Sequence, residues 1–493
     1  ILHIHDWRDL LADPRVRLFV GPDALDQFRA SLVPNMLVPW PKFSVTVDPQ
    51  LWPAGTTLDS VLLPQRAALA ARLTAANAQL RDLYAWATPE ALAQRLESGQ
   101  PLRILGLTSR YTTFLQHSMR DWLDAWQRLG HETRLLIEDA DHQITNNLVY
   151  AEACVEFCPD LVVMIDHFRR EYGSGFPDQV PCVMWIQDHL PHIFSPAAAT
   201  AQTRRDYCLG FGRYQLSRRF GYPAQRFMAS TIGTNDGRFA PTELSPGELR
   251  QFSCDASCVS HASRSAEELV REQAAHEWLA NMGINLHIWG RGWETHPTLA
   301  RFARGIADNQ TQLRAIYIAS KINLQVIPYG AVHQRLLDGL AAGGFFLMRH
   351  TRGDAIGRLY QSLDQACQTL GIHSDPQLQA STDPALRALL QQIHQIYPPE
   401  HFHRCGETLY DQLQDHVSAG HMFSASALFG DLYEPVAFGT EAELRQKAAH
   451  YLSHDADRTQ HAQAMRNIVL SRCSYRAISR RLLSLIATDL QTA

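Results

Sequence analysis

The sequence predicts an α/β protein with two successive series of buried parallel strands, an N-terminal extension and a helical insertion late in the chain. Three observations carry the prediction. Short apolar runs alternate with helix-period segments, as in LRILGLTS, HSMRDWLDAWQRLG and TRLLIE, which form a βαβ unit with a glycine stop at Gly130. Two further runs, PDLVVMID and PCVMWIQD, each end in aspartate, and strand carboxyl ends are where open α/β sheets keep their ligands. From Ile284 to Arg349, strand, glycine loop, helix, strand, helix and strand follow one another with polar residues concentrated at the joints.

In chain order, residues 1–100 form a mainly helical accessory segment. It holds a short strand at RLFVG, a proline-rich stretch from Val33 to Pro53, and an alanine- and leucine-rich helical run from about Pro64 to Leu96. Residues 101–240 carry the first strand series and close at FMASTIGTNDGRFAP, whose Gly, Asn, Asp and Pro cluster reads as a linker. Residues 241–493 carry the second series, opening at ASCVSHASRS and interrupted by a helical insertion over about 351–432. The HFHRC cluster in that insertion reads as solvated helix surface. The last helices, EAELRQKAAHYL, RTQHAQAMRNIVL and YRAISRRLLSLI, are expected to finish the second domain.

Bulk composition narrows the function. At 493 residues the chain exceeds one ordinary core and splits into two or three domains. Hydrophobic content of 45% with 19% charged residues suits a globular enzyme. No apolar run approaches the roughly 20 residues that cross a bilayer. No secretory signal opens the sequence, which starts at Ile1, and a cytoplasmic setting is expected. A net charge of −5 without a basic block argues against nucleic acid as a partner. The lysines are Lys42, Lys321 and Lys447 alone, so lysine-based covalent chemistry has few candidates. Nine cysteines, an odd number, point to a reduced compartment. Cys154 with Cys158, and Cys254 with Cys258, are spaced to share a helix face, which is at most half a zinc site. Paired CxxC knuckles are missing, and neither metal nor cofactor is expected.

The chemistry-bearing residues cluster at the joints. A helix from about Ala331 to Ala342 starts after Pro328-Tyr329-Gly330 and stops at Gly343-Gly344, so its first turn offers backbone N–H groups to an anion. Arg335 and Asp338, three apart, face one way: either they take a phosphate and ribose hydroxyls, or they form an intrahelical ion pair. His333 donates to a diphosphate or caps a turn. Arg291, between Gly290 and Gly292, reaches a phosphate or stays a solvated loop cation. Trp293, or Trp289, stacks on a base or packs in the core. Ser260, His261, Ser263 and Arg264 form a phosphate-side loop or a helix cap. In the first series, Asp188 beside His189 and His192 is the candidate general base, or else an acceptor that fixes a loop. Asp166 with His167 repeats that arrangement, and Arg110 and Thr112 follow the first strand. An NAD enzyme is disfavoured because LRILGLTSRYT lacks the GxGxxG turn, and no P-loop is present.

WIQDHLPHI, STIGTNDGRFAP, ASCVSHASR, LHIWGRGWE, LRAIYIASKINLQV, HQRLLDGLAAGGFFLMR and the tail FGTEAELRQKAAHYLSHDADRTQHAQAMRN together resemble the GT-B class of glycosyltransferases. The nearest resemblance is to the bacterial group-1 branch similar to spore-maturation-type enzymes. It covers roughly residues 101–350 and 433–490. It implies two Rossmann-like domains facing across a cleft, without a metal. The second domain would hold a nucleotide-sugar donor, UDP-linked by preference, through Ser260, His261, Arg264, Gly290, Arg291, Trp293, His333, Arg335 and Asp338. The first would hold a glycan, lipid-linked or protein acceptor near Arg110, Thr112 and Asp166, with Asp188 and His189 catalytic. Similar families carry glutamate where Asp338 stands. A sugar-nucleotide epimerase or hydrolase of the same fold, or a non-catalytic sugar- or partner-binding subunit, are the alternatives.

Overall fold

The computed structural model describes residues 16, 18–31, 58–110, 113–139, 145–262, 267–309, 311–326, 332–400, 402 and 408–492. Two parallel sheets organise it. The first has the order β2-β1-β3-β4-β5-β6, from β1 Arg103–Leu107, β2 Glu132–Leu136, β3 Leu161–Ile165, β4 Cys182–Ile186, β5 Asp206–Gly210 and β6 Phe227–Ala229. The second has the order β11-β10-β9-β7-β8, from β7 Cys254–Val259, β8 Leu286–Trp289, β9 Ser320–Gln325, β10 Phe346–Arg349 and β11 Ala437–Phe438. Every pairing is parallel. Both sheets change winding direction between their first and third strands, β1/β3 and β7/β9, which opens a crevice at the strand carboxyl ends.

The strands form where the sequence is continuously apolar, because helices cover both faces of a parallel sheet. β3, β4 and β5 are buried along their whole length. Gly106 in β1 lets a helix lie close: a Cβ there would meet Met119 Sδ at 2.7 Å and Leu123 Cδ1 at 2.8 Å. β5, β6 and β11 are strands that local pattern does not reveal. β5 opens on Asp206, which is buried because Arg169 Nε donates to it at 2.7 Å. β6 is three residues long and β11 two, too short for a periodic signal.

Two boundaries differ from the sequence reading. Helices α1 (Leu58–Leu83) and α2 (Pro89–Glu97) do not form a separate accessory unit. Ala76, Leu80, Tyr84, Leu92 and Leu96 belong to the same core as β1, β3 and β4. Helix α3 (Thr113–Arg128) covers β1, and α4 (Gln334–Ala341) opens after β9. The insertion contributes α5 (Arg352–Leu370), α6 (Pro384–Ile396) and α7 (Leu409–Phe423), around their own core of Leu363, Leu386, Leu390, Ile393 and Leu413. Of HFHRC, Phe402 alone lies inside the described residues. Helix α8 (Asp455–Arg472) stays with the second sheet, but α9 (Tyr475–Thr492) leaves it and packs on the first. Ile478, Leu482, Ile486 and Leu490 are buried there, each stabilising the docking by about 1.5–3 kcal/mol. Trp122 Nε1 adds a hydrogen bond to Ser479 Oγ at 2.9 Å.

The chain therefore crosses between the domains twice, at one place. Thr234 and Ser474 form a parallel bridge, with Thr234 N donating to the Cys473 carbonyl and Tyr475 N to the Thr234 carbonyl, each at 2.9 Å. The insertion makes a third link: Asp415 accepts from the backbone N–H groups of Tyr214 and Gln215 in the first domain. Among the described residues no helix is long and apolar enough to cross a membrane.

Candidate functional site

The second domain's site is built by two loops that zip together. After β7, Ser260 N donates to the Trp289 carbonyl and Ala262 N to the Arg291 carbonyl, both at 2.9 Å. Arg291 N in turn donates to His261 Nδ1 at 3.1 Å. Gly290 adopts φ +140°, and an added Cβ would lie 1.8 Å from the Ser260 carbonyl oxygen. Only glycine allows this approach, which places the Arg291 side chain in solvent at the end of β8. Trp293 is fully buried and donates from Nε1 to the Ser260 carbonyl at 2.7 Å, so it braces the loop and leaves no face for a base. Trp289 is likewise buried, against Phe252.

Helix α4 begins two to three residues later than its apolar pattern suggests, because His333 is its N-cap. His333 Nδ1 accepts from Arg335 N at 3.2 Å, and Leu336 N donates to the His333 carbonyl at 3.0 Å. Two amides expected to be open to an anion are thus already engaged, and the attraction rests on the helix dipole and the Arg335 guanidinium. Burial, then the Arg335 charge, lower the His333 pKa to about 4. The ring is neutral at pH 7, and since Nδ1 accepts, the proton sits on Nε2 as a donor. Partial burial and the positive fields of Arg335 and Arg291 also hold His261 below its ordinary value. Among the described residues no carboxylate pairs with Arg335 or Arg291.

Arg335 and Asp338 do not form the intrahelical pair. Asp338 Oδ1 accepts from Thr234 Oγ1 at 2.7 Å, across the domain boundary, and from Gln334 Nε2 at 2.8 Å. Burial raises its pKa to about 7, and the nearby Asp121 charge pushes the same way. A cavity of about 210 Å³ opens here between the domains. His333, Gln334, Arg335 and Asp338 line one side, and His117, Ser118 and Asp121 of α3 the other. Arg238 grips Asp121 through two contacts of 2.8 and 2.9 Å, and Tyr475 closes the floor.

The first domain's residues are placed differently from expectation. Asp188 and His189 do not line this cavity: both are exposed beyond β4, and the His189 ring stacks on Phe194 at 3.8 Å. Asp166 is buried at the end of β3 and fixes the following loops, its Oδ1 accepting from Gln187 N at 2.7 Å and Asp188 N at 3.2 Å. Its pKa is raised, chiefly by burial. Arg110 is exposed after β1, its N–H bonded to Glu138 Oε2 at 3.0 Å. Thr112, Ser263 and Arg264 lie outside the described residues. Cys254 and Cys258 lie on strand β7 rather than on a helix, and contact Ser320 and His276 respectively. Sequence reasoning missed His117, Asp121, Arg238 and Tyr475. Only the i, i+4 spacing of His117 and Asp121 near the start of an amphipathic helix marks them locally.

Residues 264–391 match a family model described as glycosyl transferase-like. No curated protein matches the sequence. Matching solved structures include the catalytic domain of Arabidopsis thaliana starch synthase IV bound to ADP and acarbose, at 9% identity and TM-score 0.46, covering 80% of this chain and 100% of that one. The glycosyltransferase SnogD of Streptomyces nogalater matches at 12% identity and TM-score 0.35, covering 78% and 100%. An O-GlcNAc transferase variant of Thermobaculum terrenum matches at 12% identity and TM-score 0.37, covering 80% and 70%. The chain is thus similar in sequence to glycosyl transferases over residues 264–391, and it has the two parallel sheets expected of the GT-B resemblance.

Proposed function

We propose that the protein moves a glycosyl group from a nucleoside-diphosphate sugar, UDP-linked by preference, to a hydroxyl-bearing acceptor such as a bacterial glycan, a lipid-linked glycan or a protein side chain. The observation that carries this reading is the convergence on an interdomain cavity of Arg335, which has no carboxylate partner among the described residues, and a neutral, Nε2-protonated His333. Departure of the sugar leaves negative charge on the diphosphate, and fixed donors stabilise that charge better than mobile water. The cavity volume suits the charged end of a donor rather than the whole nucleotide. His117, on the opposite wall of the cavity, is our candidate for the group that accepts the proton of an acceptor hydroxyl, in place of Asp188, which lies outside the cavity. On the acceptor side, Thr108 Oγ1, Asp166 Oδ2 and both Gln187 side-chain polar atoms are buried without partners among the described residues. They follow three adjacent strands, β1, β3 and β4, where a polyhydroxylated ligand would satisfy them.

Arg335→Ala is expected to weaken nucleoside-diphosphate binding by about 1.5–3 kcal/mol, the worth of a charged hydrogen bond. Calorimetry with UDP, GDP, CDP and dTDP reads this directly; unchanged affinity in a folded variant removes Arg335 from the site. His117→Ala should slow transfer by about 100-fold, within the usual range for a general base, while nucleotide affinity holds. Asp188→Asn should leave both nearly intact. Rapid conversion of a donor with no acceptor present would replace transfer with epimerisation or hydrolysis.

A further inference from the structure

We propose that His167, Glu171 and His192 form a binding site for one divalent transition-metal ion of the zinc type, at the carboxyl end of the first sheet and outside the interdomain cavity. Two imidazoles and a carboxylate are a donor set suited to such an ion. Their ligand atoms all lie within 4.8 Å of one another. His192 Nε2 is 3.4 Å from Glu171 Oε1, and His167 Nδ1 is bonded to Glu171 Oε2. A tetrahedral ion with bonds of about 2.1 Å holds its ligands about 3.4 Å apart, so small rotations of exposed side chains close the set.

The backbone beneath the three residues is fixed. His167 follows β3 and His192 lies in the loop after β4, and Asp166 ties those segments together by accepting from Gln187 N and Asp188 N. Glu171 sits in the turn Arg169–Tyr172, which buried Arg169 anchors through Asp206 Oδ1 at 2.7 Å and the Val180 carbonyl at 2.6 Å. Independently of the three ligands, the adjoining Asp166 is 2% exposed, yet its Oδ2 has no partner among the described residues. Its carbonyl oxygen is 3.0 Å from His192 Nε2, which ties the Asp166 backbone to the cluster. The cluster is held by the hydrogen bond between His167 Nδ1 and Glu171 Oε2 and the 3.4 Å approach of His192 Nε2 to Glu171 Oε1, and a bound ion would take the place of those contacts. Three protein ligands leave a coordination position open to water or to an oxygen of a bound molecule.

The test is calorimetric titration of the full chain with zinc chloride alone, and separately with cobalt(II) chloride followed by visible absorption. One saturable equivalent is expected. His167→Ala and His192→Ala should each weaken it by about 100-fold and Glu171→Gln by about tenfold or more, with thermal midpoints close to that of the parent because all three side chains are exposed. The cobalt spectrum should fade in step. Absence of saturable uptake overturns the site, as does uptake of unchanged affinity in the two histidine variants, since the chain holds 23 histidines that can bind zinc adventitiously. Nucleoside-diphosphate binding depends on Arg335 and is read separately, so failure here leaves the transfer reading standing.

Discussion

Gly290→Ala is expected to destabilise the second domain by about 4 kcal/mol, among the larger effects of a single substitution. Two costs add. The backbone at φ +140° is rarely adopted by residues with a Cβ, and the new methyl would overlap the Ser260 carbonyl oxygen, 1.8 Å from the ideal Cβ position. That carbonyl cannot retreat without breaking its 2.7 Å bond from Trp293 Nε1 and the Ser260 N to Trp289 contact. Gly292→Ala is the control. Its φ of +86° is strained for alanine, but its Cβ would come no closer than 3.2 Å to Ala262 Cβ, so the cost is about 1–2 kcal/mol. Thermal and urea unfolding of both variants checks the difference. Equal, small losses would show that the Gly290 loop yields, and with it the fixed position of Arg291.

A pH series on two conservative variants should expose opposing titrations that cancel in the parent protein. Asp338 rises from 3.8 to about 7 on folding, so between those values the native state holds a proton that the unfolded state has lost, and stability falls as pH rises. His333 falls from 6.5 to about 4, so over that window the unfolded state holds the extra proton, and stability rises with pH. From pH 4 to pH 6.5 the slopes have opposite sign and similar size. Asp338→Asn should leave the histidine slope, a gain of about 3 kcal/mol across the window at roughly 1.4 kcal/mol per unit. His333→Asn keeps a good N-cap and should leave a loss of about 3 kcal/mol over the same span. Denaturant midpoints measured at half-unit steps decide it. Curves parallel to that of the parent would mean that neither group is buried as the interdomain cavity requires.

Much of this architecture is legible in the sequence where burial is two-sided. β3 and β4 lie under helices on both faces, so LVVMI and CVMWI carry no polar interruption and mark themselves. β5 is masked by Asp206, whose charge is tolerated only because Arg169 reaches it from another segment. The donor-side residues His333, Arg335 and Asp338 are legible because a glycine loop and a helix start are local events. Their counterparts are not: His117 and Asp121 lie more than 200 residues away in sequence, and meet them only because the two sheets face each other. A separation of 104 residues likewise hides the Thr234–Asp338 hydrogen bond. Helix α9 misleads for a related reason, since an apolar stripe says that a helix packs but not on which core.

The contact of Asp415 with Tyr214 and Gln215 has a mechanical consequence. A pair of lobes joined at one point can swivel in any direction, but fastening them again at a second point leaves a single axis, as two hinges do for a door. The paired crossings at Thr234 and Ser474 are one hinge, and Asp415 is the other. Any opening of the gap between His117 and Arg335 about these two attachments would follow one path, and letting go at Asp415 would free the lobes to twist.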